Sequence, residues 1–406
     1  MKKISILLAL LLAVNIGFAC TTAVISGKAT PDGRPLLWKL RDTETFENKL
    51  KYFDDGKYSY IGLINSDDAE GKQVWSGSNN AGFAIMNSAS FNLRAKDDTT
   101  SYRDREGIVI KEALMQCATV DEFEAFLKNY PKPMGVEANF GVIDAKGNAA
   151  YFETSDNSYT KFDANDPIVA PNGYIIRTNY SFTGKPNVGY GFIRFQTTQD
   201  LFYTAAGENK IDLNFILRDV SRSQYNALTQ IDLYDELPQT YNENYYRNNQ
   251  DCIVRYGTTN SMVIQGVKKN EDPALTTLWT ILGNPLSAVA IPTWVTDKVE
   301  LPVFMTAEED FNSPSSDKSL QLCDEIFYPI KRGSGKAYVN FSKLANKENN
   351  GIVQKLLPVE KKVLTKSNSM IDTWRSKNKV DVKEMKEFYQ WIDQYMIDSY
   401  RKLFDI

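Results

Sequence analysis

Short runs of β-branched and aromatic residues, separated by turn-forming clusters, alternate along much of the chain. Such runs are typical of strands, whereas apolar residues at helical spacing indicate helices. Helical spacing occurs at 106–117 and 120–127, between two groups of strand-like runs. We predict strands at 21–26, 36–39, 58–64, 82–87, 139–144, 149–153, 174–178, 261–267 and 288–292. Because hairpins and helices come in blocks, the pattern favours antiparallel sheets layered with helices over alternating strand and helix units.

The C-terminal part of the chain has a different composition and a helical pattern. From about Glu309 it is richer in Ser, Lys and Asn, and its last segment, 381–404, carries one apolar stripe. The stripe consists of Val382, Met385, Phe388, Trp391, Ile392, Tyr395 and Met396. We predict an amphipathic helix that packs on the core, because its polar face is mixed in sign.

The N-terminus has the pattern of a secretion signal. Lys2 and Lys3 precede an apolar run from Ile6 to Val14, and Gly17 and Ala19 supply small residues before a cleavage point. The run is too short to span a bilayer, and no second apolar stretch of about 18 residues follows. We therefore predict a signal peptide at 1–19, a periplasmic or secreted protein, and Cys20 as its first residue.

Three explanations compete for Cys20. It could form a structural disulfide, although four cysteines are few for a chain of 406 residues. It could be an acylated lipoprotein anchor, although Gly17 stands where a lipobox usually has Leu. The third explanation, which we favour, is an N-terminal nucleophile, in which the thiol attacks and the α-amine of the same residue is the base.

Composition narrows the chemistry further, because the sequence contains no histidine. Catalytic machinery and zinc sites that need imidazole are therefore excluded, and no CxxC pair is present. An α-amine, with a pKa of about 7.7 to 8.0, is the remaining base suited to neutral pH. The formal net charge is −4 and the basic residues are dispersed, so nothing indicates a nucleic-acid or anionic-membrane partner. No metal or cofactor is predicted, and the oligomeric state stays open.

The segment from Cys20 to Asp42, CTTAVISGKATPDGRPLLWKLRD, resembles the start of N-terminal nucleophile (Ntn) hydrolases that cleave linear amides. This family includes choloylglycine hydrolases, acyl-coenzyme A:6-aminopenicillanic acid acyltransferases and cysteine dipeptidases, and the acyltransferase-like branch is the most similar. Asp42 matches the family's aspartate, which contacts the α-amine of the nucleophile. Where the family usually has Arg, this chain has Lys39, with Arg41 nearby.

Three later segments continue the resemblance in family order. Residues 75–88 place Asn87 at the position of an oxyanion-hole asparagine, RTNYS at 177–181 resembles a pattern that contains Asn179, and GFIRFQ at 191–196 contributes Arg194. Weaker similarity continues to about Pro292. The resemblance implies an α+β fold, the four-layer αββα sandwich of two antiparallel sheets flanked by helices, over 20–300. Residues 301–406 would form a mostly helical extension packed on that domain.

The resemblance also implies a function, an exported amidohydrolase that cleaves a linear C–N amide of a small molecule through a Cys20 thioester. Asn87 with Asn179 would stabilise the oxyanion, Asp42 would orient the amine, and Lys39, Arg41 or Arg194 would favour the thiolate. We expect these residues to gather near Cys20, which would begin a central strand beside a cleft, with Lys39 nearer the thiol than Arg41. Acyl transfer to another amine, a cysteine dipeptidase and a non-catalytic lipoprotein anchored through Cys20 remain as alternatives.

Overall fold

The computed structural model describes residues 19–94, 104–297, 300–307 and 311–406. Of the predicted signal peptide, only Ala19 lies within these ranges. Within them, no helix has both the length and the apolar content needed to cross a bilayer.

Two antiparallel sheets contain most of the strands. The first sheet has six strands in the order β10-β1-β2-β14-β15-β16, and the second has seven in the order β3-β4-β5-β6-β7-β8-β9. The strands of the first sheet are β1 (Thr21–Ile25), β2 (Leu36–Asp42), β10 (Tyr174–Arg177), β14 (Thr258–Gln265), β15 (Thr277–Leu282) and β16 (Ala290–Trp294). Those of the second are β3 (Asn48–Phe53), β4 (Tyr60–Asn65), β5 (Ser76–Asn79), β6 (Ala84–Ala89), β7 (Ala138–Ile143), β8 (Ala149–Thr154) and β9 (Tyr159–Asp163). Two small ribbons add β11 (Tyr225–Asn226) with β12 (Ile231–Asp232), and β13 (Tyr246–Asn248) with β17 (Tyr338–Asn340).

The two sheets pack face to face through β1 and β2 of the first and β6 to β8 of the second. Tyr151 on β8 donates a hydrogen bond of 2.8 Å from its hydroxyl to Thr22 Oγ1 on β1. The approach is close at Gly141 on β7, where a Cβ would lie 2.8 Å from Cγ2 of Val24. A larger residue at that position would push the sheets apart.

Helices cover the outer face of each sheet. The helices α1 and α2 pack on the second sheet, where Phe123 meets Phe152 edge to face with ring centroids 5.2 Å apart. The first sheet is covered by α3, α4, α6 and a π-helical segment at Phe215–Val220. The α-helices are α1 (Glu106–Gln116), α2 (Val120–Asn129), α3 (Phe192–Gly207), α4 (Pro314–Ile326), α5 (Phe341–Leu344), α6 (Ile352–Lys377) and α7 (Val382–Phe404). Short 3-10 turns lie at Pro273–Leu275, Val303–Met305 and Gly333–Ala337.

This arrangement confirms the predicted α+β class with two antiparallel sheets between layers of helices. The predicted strands are present with shifts of a few residues at their ends, and α1, α2 and α7 lie where helical spacing places them. Of the strands in the two large sheets, sequence reasoning missed β3, β5, β9 and β15, and it also missed the four short strands of the small ribbons. In β5 the sequence is SGSN, which has low strand propensity, and its pairing with β4 and β6 overrides that preference.

The C-terminal helix α7 differs in one detail from its predicted apolar stripe. Met385, Phe388, Ile392 and Met396 are buried as predicted, but Val382 is 42% exposed. Tyr389 and Tyr400 are buried in addition, and the Tyr400 hydroxyl donates a 3.0 Å hydrogen bond to the Ser287 carbonyl. The helix therefore packs on the core, whereas a domain boundary near residue 300 stays a prediction.

A buried ion pair fastens the C-terminal helices to the first sheet. Glu360 on α6 accepts a 2.7 Å hydrogen bond from Nη2 of Arg222 and another, of 2.8 Å, from the backbone N–H of Ala290 on β16. Arg222 also donates to the carbonyl groups of Leu217, Pro285 and Ala288. Both partners are buried, so loss of either charge leaves the other without its counterion.

We expect Glu360→Gln to lower the free energy of unfolding by about 3 kcal/mol, because it leaves the Arg222 guanidinium buried without a counterion. Urea unfolding followed by circular dichroism measures the change. Lys361→Gln, an exposed replacement one residue along the same helix, is the control and should cost less than about 0.5 kcal/mol. Equal losses in the two variants would contradict the proposed role of the ion pair.

Candidate active site

Cys20 directly precedes β1, which is flanked by β10 and β2 inside the first sheet. It is 6% exposed and forms no disulfide, as is also true of the three other cysteines, all of them in described residues. In the register of β1 with β2, Thr22 is opposite Lys39 and Thr21 is opposite Leu40. The same register, continued by one residue, places Arg41 level with Cys20.

The thiol side of Cys20 belongs to the face between the two sheets. Side chains alternate along a strand, so Cys20 shares a face with Thr22, whose hydroxyl contacts Tyr151 of the opposite sheet. Residues directly opposite each other in a sheet share a face, which places Lys39 and Arg41 on that side too. Lys39 and Arg41 therefore lie on the same face of the first sheet as the Cys20 thiol.

Lys39 is buried and bonded to neutral oxygen atoms. Its amine donates hydrogen bonds of 2.6 Å to Asn87 Oδ1 and 2.7 Å to the Trp75 carbonyl. Burial, with a smaller contribution from the charge of Arg41, lowers the pKa of this amine from 10.5 to about 7, whereas the nearby Cys20 and Glu106 oppose the shift. Near neutral pH, Lys39 can therefore exchange its proton.

Arg41 also finds neutral partners. Its guanidinium donates to Asn48 Oδ1 at 2.6 Å and to Asn65 Oδ1 at 2.9 Å, and its Cζ lies 4.6 Å from the centroid of the Trp75 ring. Burial lowers the pKa of Arg41, and the proximity of Cys20 opposes this. The strand register places Arg41 level with the Cys20 backbone, and Lys39 is the partner of Asn87. That Lys39 lies nearer the thiol than Arg41 stays a prediction.

Asn87 lies on β6, in the sheet opposite Cys20, and faces Lys39. Its Oδ1 accepts from Lys39, and none of the hydrogen bonds found between described residues uses its Nδ2. An amide N–H without an acceptor is the group that an oxyanion would need.

Arg194 contacts the backbone of Cys20 directly. Its Nη1 donates hydrogen bonds of 2.7 Å to the Cys20 carbonyl and to Thr21 Oγ1, and its Nη2 donates to Asn179 Oδ1 at 2.9 Å. The side chain lies back over Gly191, where a Cβ would collide with the guanidinium, and the φ of +86° at Gly191 also suits glycine. Gly191 is the first residue of the predicted GFIRFQ motif, but sequence reasoning assigned it no role.

Asn179 is held at both ends of its side-chain amide. Oδ1 accepts from Arg194, and Nδ2 donates a 2.9 Å hydrogen bond to the Ala89 carbonyl. Its backbone N–H and carbonyl exchange two hydrogen bonds of 3.2 Å with Tyr190. This fixed geometry suits Asn179 to orient Arg194, while Asn87 is the better candidate for an oxyanion donor.

Asp42 lies on the opposite side of β2 from Lys39 and Arg41. Its carboxylate accepts hydrogen bonds of 2.5 Å from Arg255 Nη2 and 2.6 Å from the Thr258 hydroxyl. Burial raises the pKa of Asp42, and the charges of Arg255 and Arg194 oppose this. Arg255 Nη2 also lies 3.5 Å from the carbonyl oxygen of Ala19, so Asp42 reaches the backbone before Cys20 through Arg255.

Arg255 is a candidate site residue that sequence reasoning missed. No motif marks it, and 213 positions separate it from Asp42. Only the pairing of β14 with β2, which places Thr258 opposite Asp42, brings it to the site.

The predicted residues thus form two groups around the backbone of Cys20. Lys39, Arg41 and Asn87 lie on the side between the sheets. The second group, Asp42, Asn179 and Arg194, surrounds the backbone at the start of β1. With Ala19 attached, Cys20 is buried, and the cleft that we expect beside it stays a prediction.

No protein-family model and no curated protein sequence matches the chain. Solved structures similar to it include a Caenorhabditis elegans ortholog of N-acylethanolamine-hydrolyzing acid amidase, at 16% identity and a TM-score of 0.37, covering 60% of this chain and 92% of that one. Penicillin V acylase from Agrobacterium tumefaciens is 13% identical, with a TM-score of 0.35, covering 68% of this chain and 86% of the acylase. A mutant of conjugated bile acid hydrolase from Clostridium perfringens is 12% identical, with a TM-score of 0.38, covering 70% of this chain and 93% of the hydrolase.

These structural neighbours are Ntn hydrolases. They act on linear amides, but at such identities and scores the likeness assigns no activity to this chain. The described residues contain no group of three or more His, Cys, Asp or Glu side chains arranged to hold a metal ion.

The lowered pKa of Lys39 predicts how stability changes with pH. Between about pH 7 and its ordinary value of 10.5, the unfolded chain binds this proton and the folded chain does not, so folding stability rises with pH. The native chain should gain about 1.4 kcal/mol per pH unit over Lys39→Met between roughly pH 7.5 and 9.5. Urea unfolding at three pH values measures this slope.

Lys128→Met, which removes an exposed lysine of α2, is the control and should leave the slope unchanged. If the free energy of unfolding of Lys39→Met changes with pH as that of the native chain does, Lys39 is not the titrating group.

Proposed function

We propose that this chain is an exported amidohydrolase that cleaves a linear C–N amide through a thioester on Cys20. The proposal depends mainly on one observation, the placement of Cys20 at the end of a central strand between two cations and the Arg194–Asn179 pair. Export is proposed from the signal-like N-terminus, whose predicted cleavage leaves Cys20 as the first residue.

In the proposed reaction, the free α-amine of Cys20 takes the thiol proton while Sγ forms a bond to the substrate carbonyl carbon. The carbonyl electron pair moves to oxygen, and the resulting oxyanion accepts a hydrogen bond from Asn87 Nδ2. When the intermediate collapses, the C–N bond breaks and the leaving amine takes the proton from the α-ammonium. Water then attacks the thioester, which releases the acid and returns the proton to the thiol.

The residues around the backbone position the base in this scheme. Arg194 donates a hydrogen bond to the Cys20 carbonyl. Arg255, which is paired with Asp42, donates one to the Ala19 carbonyl. After cleavage the new amine would occupy the space beside this Asp42–Arg255 pair. The carboxylate would orient it, while the Arg255 charge disfavours its protonation and keeps it a base near neutral pH.

Burial of Cys20 favours the enzyme over the lipoprotein alternative. A diacylglyceryl group on Sγ would need space for two acyl chains, whereas Cys20 is 6% exposed and lies among packed side chains. Intact mass measurement of the purified N-terminus separates the two, since a diacylglyceryl adduct would refute the nucleophile.

Substrate selection separates acylase from dipeptidase activity. A panel of N-acyl amino acids, acylated amines and unblocked dipeptides, offered to the chain that begins at Cys20, identifies which amide it cleaves. An added amine that captures the acyl group would show transfer beside hydrolysis.

We expect Cys20→Ala to abolish amide cleavage and thioester formation while the chain still folds, because no other group supplies the nucleophile. Activity is measured on the best substrate of the panel, and the thioester by intact mass. Cys117→Ala, Cys252→Ala and Cys323→Ala are matched controls, because burial raises the pKa of each of these thiols. Residual cleavage in Cys20→Ala, or loss in a folded control, would contradict the assignment.

A further inference from the structure

Lys39 is a buried cation without a counterion in direct contact. Its amine bonds to the Asn87 side chain and to the Trp75 carbonyl, and no carboxylate in the described part of the chain forms a salt bridge with it. The side chain is 1% exposed, so solvent does not replace a counterion. Burial of this charge is costly for folding, which indicates a role beyond packing.

The contact with Asn87 has a chemical consequence. A side-chain amide presents an acceptor at one end and a donor at the other, and a rotation of about 180° exchanges the two ends. In its protonated form, the Lys39 ammonium group carries only donors, so it pairs with Oδ1 and excludes the rotated form, a selection that weakens above the lowered pKa of about 7. Lys39 thereby selects the orientation in which the N–H₂ end of Asn87 points away from it.

The N–H₂ end selected in this way is available. Asn87 is 4% exposed, and its Nδ2 has no acceptor among the described residues. This donor is not among the fully buried unpaired atoms of the described residues, so solvent or an anion formed during the reaction can reach it.

We propose that Lys39 is a positioning residue, which locks the amide of Asn87 as a hydrogen-bond donor toward the oxyanion. The inference builds on the proposed function and assigns Lys39 a task different from stabilising the Cys20 thiolate. The Trp75 carbonyl fixes the Lys39 amine from a second direction, so the lock is part of the folded chain before substrate binds.

A double-mutant cycle tests this inference on the best amide of the substrate panel, with kcat and KM measured for Lys39→Met, Asn87→Ala and the double variant. Loss of an oxyanion donor typically lowers kcat by about 10²- to 10³-fold. If Lys39 acts through Asn87, each single variant lowers kcat with little change in KM, and Lys39→Met costs nothing further in the Asn87→Ala background. Losses that multiply would overturn the inference and assign Lys39 a direct effect on Cys20.

Conservative variants distinguish positioning from a purely structural role, because only positioning requires a side chain that donates hydrogen bonds. Lys39→Arg retains a group that only donates and should keep more of the native kcat than Lys39→Met. Lys49→Met, which removes another buried lysine, on the edge strand β3, should leave kcat unchanged.

Asn87→Asp tests the same point if Lys39→Met fails to fold. The aspartate would still pair with Lys39, but it offers only acceptors, so the chain should fold and lose as much kcat as Asn87→Ala. Retained activity in Asn87→Asp would overturn the inference. Cleavage by Cys20→Ala would instead refute the proposed function, so the two failures are distinguishable.

Discussion

Three buried cations stand around Cys20, and each is satisfied by neutral oxygen atoms. Lys39 donates to an amide and a carbonyl, Arg41 to two amides, and Arg194 to a carbonyl, a hydroxyl and an amide. None of the three forms a salt bridge with a carboxylate of the described residues. No carboxylate in direct contact therefore neutralises these groups when they are charged, and a low-dielectric interior strengthens the field of such charges.

The layered fold makes this arrangement possible. The two sheets exclude water from Lys39 and Arg41, and strand pairing places both side chains on one face. The helices on the outer face of the first sheet stabilise it with large contacts such as Trp294 against Trp374, with ring centroids 5.0 Å apart.

The sequence predicts those strands and helices whose own residues favour them. Strands such as β1, rich in β-branched residues, and the amphipathic helix α7 are found where periodicity places them. Polar β5 was missed because its strand state comes from its neighbours in the sheet. For the site, the resemblance drew attention to Cys20 and Arg194, but Arg255 and Gly191 needed the folded chain, since contacts between distant strands and loops define them.

The central claim is that the backbone nitrogen of Cys20 is the catalytic base, which requires a free N-terminus. The most direct test compares two purified chains, one that begins at Cys20 and one that begins at Ala19, mixed with the same amide and followed by rapid-quench intact mass. We expect a thioester on the chain beginning at Cys20 and none on the other, where that nitrogen is an amide. Thioester formation at equal rates in both chains would contradict the central claim.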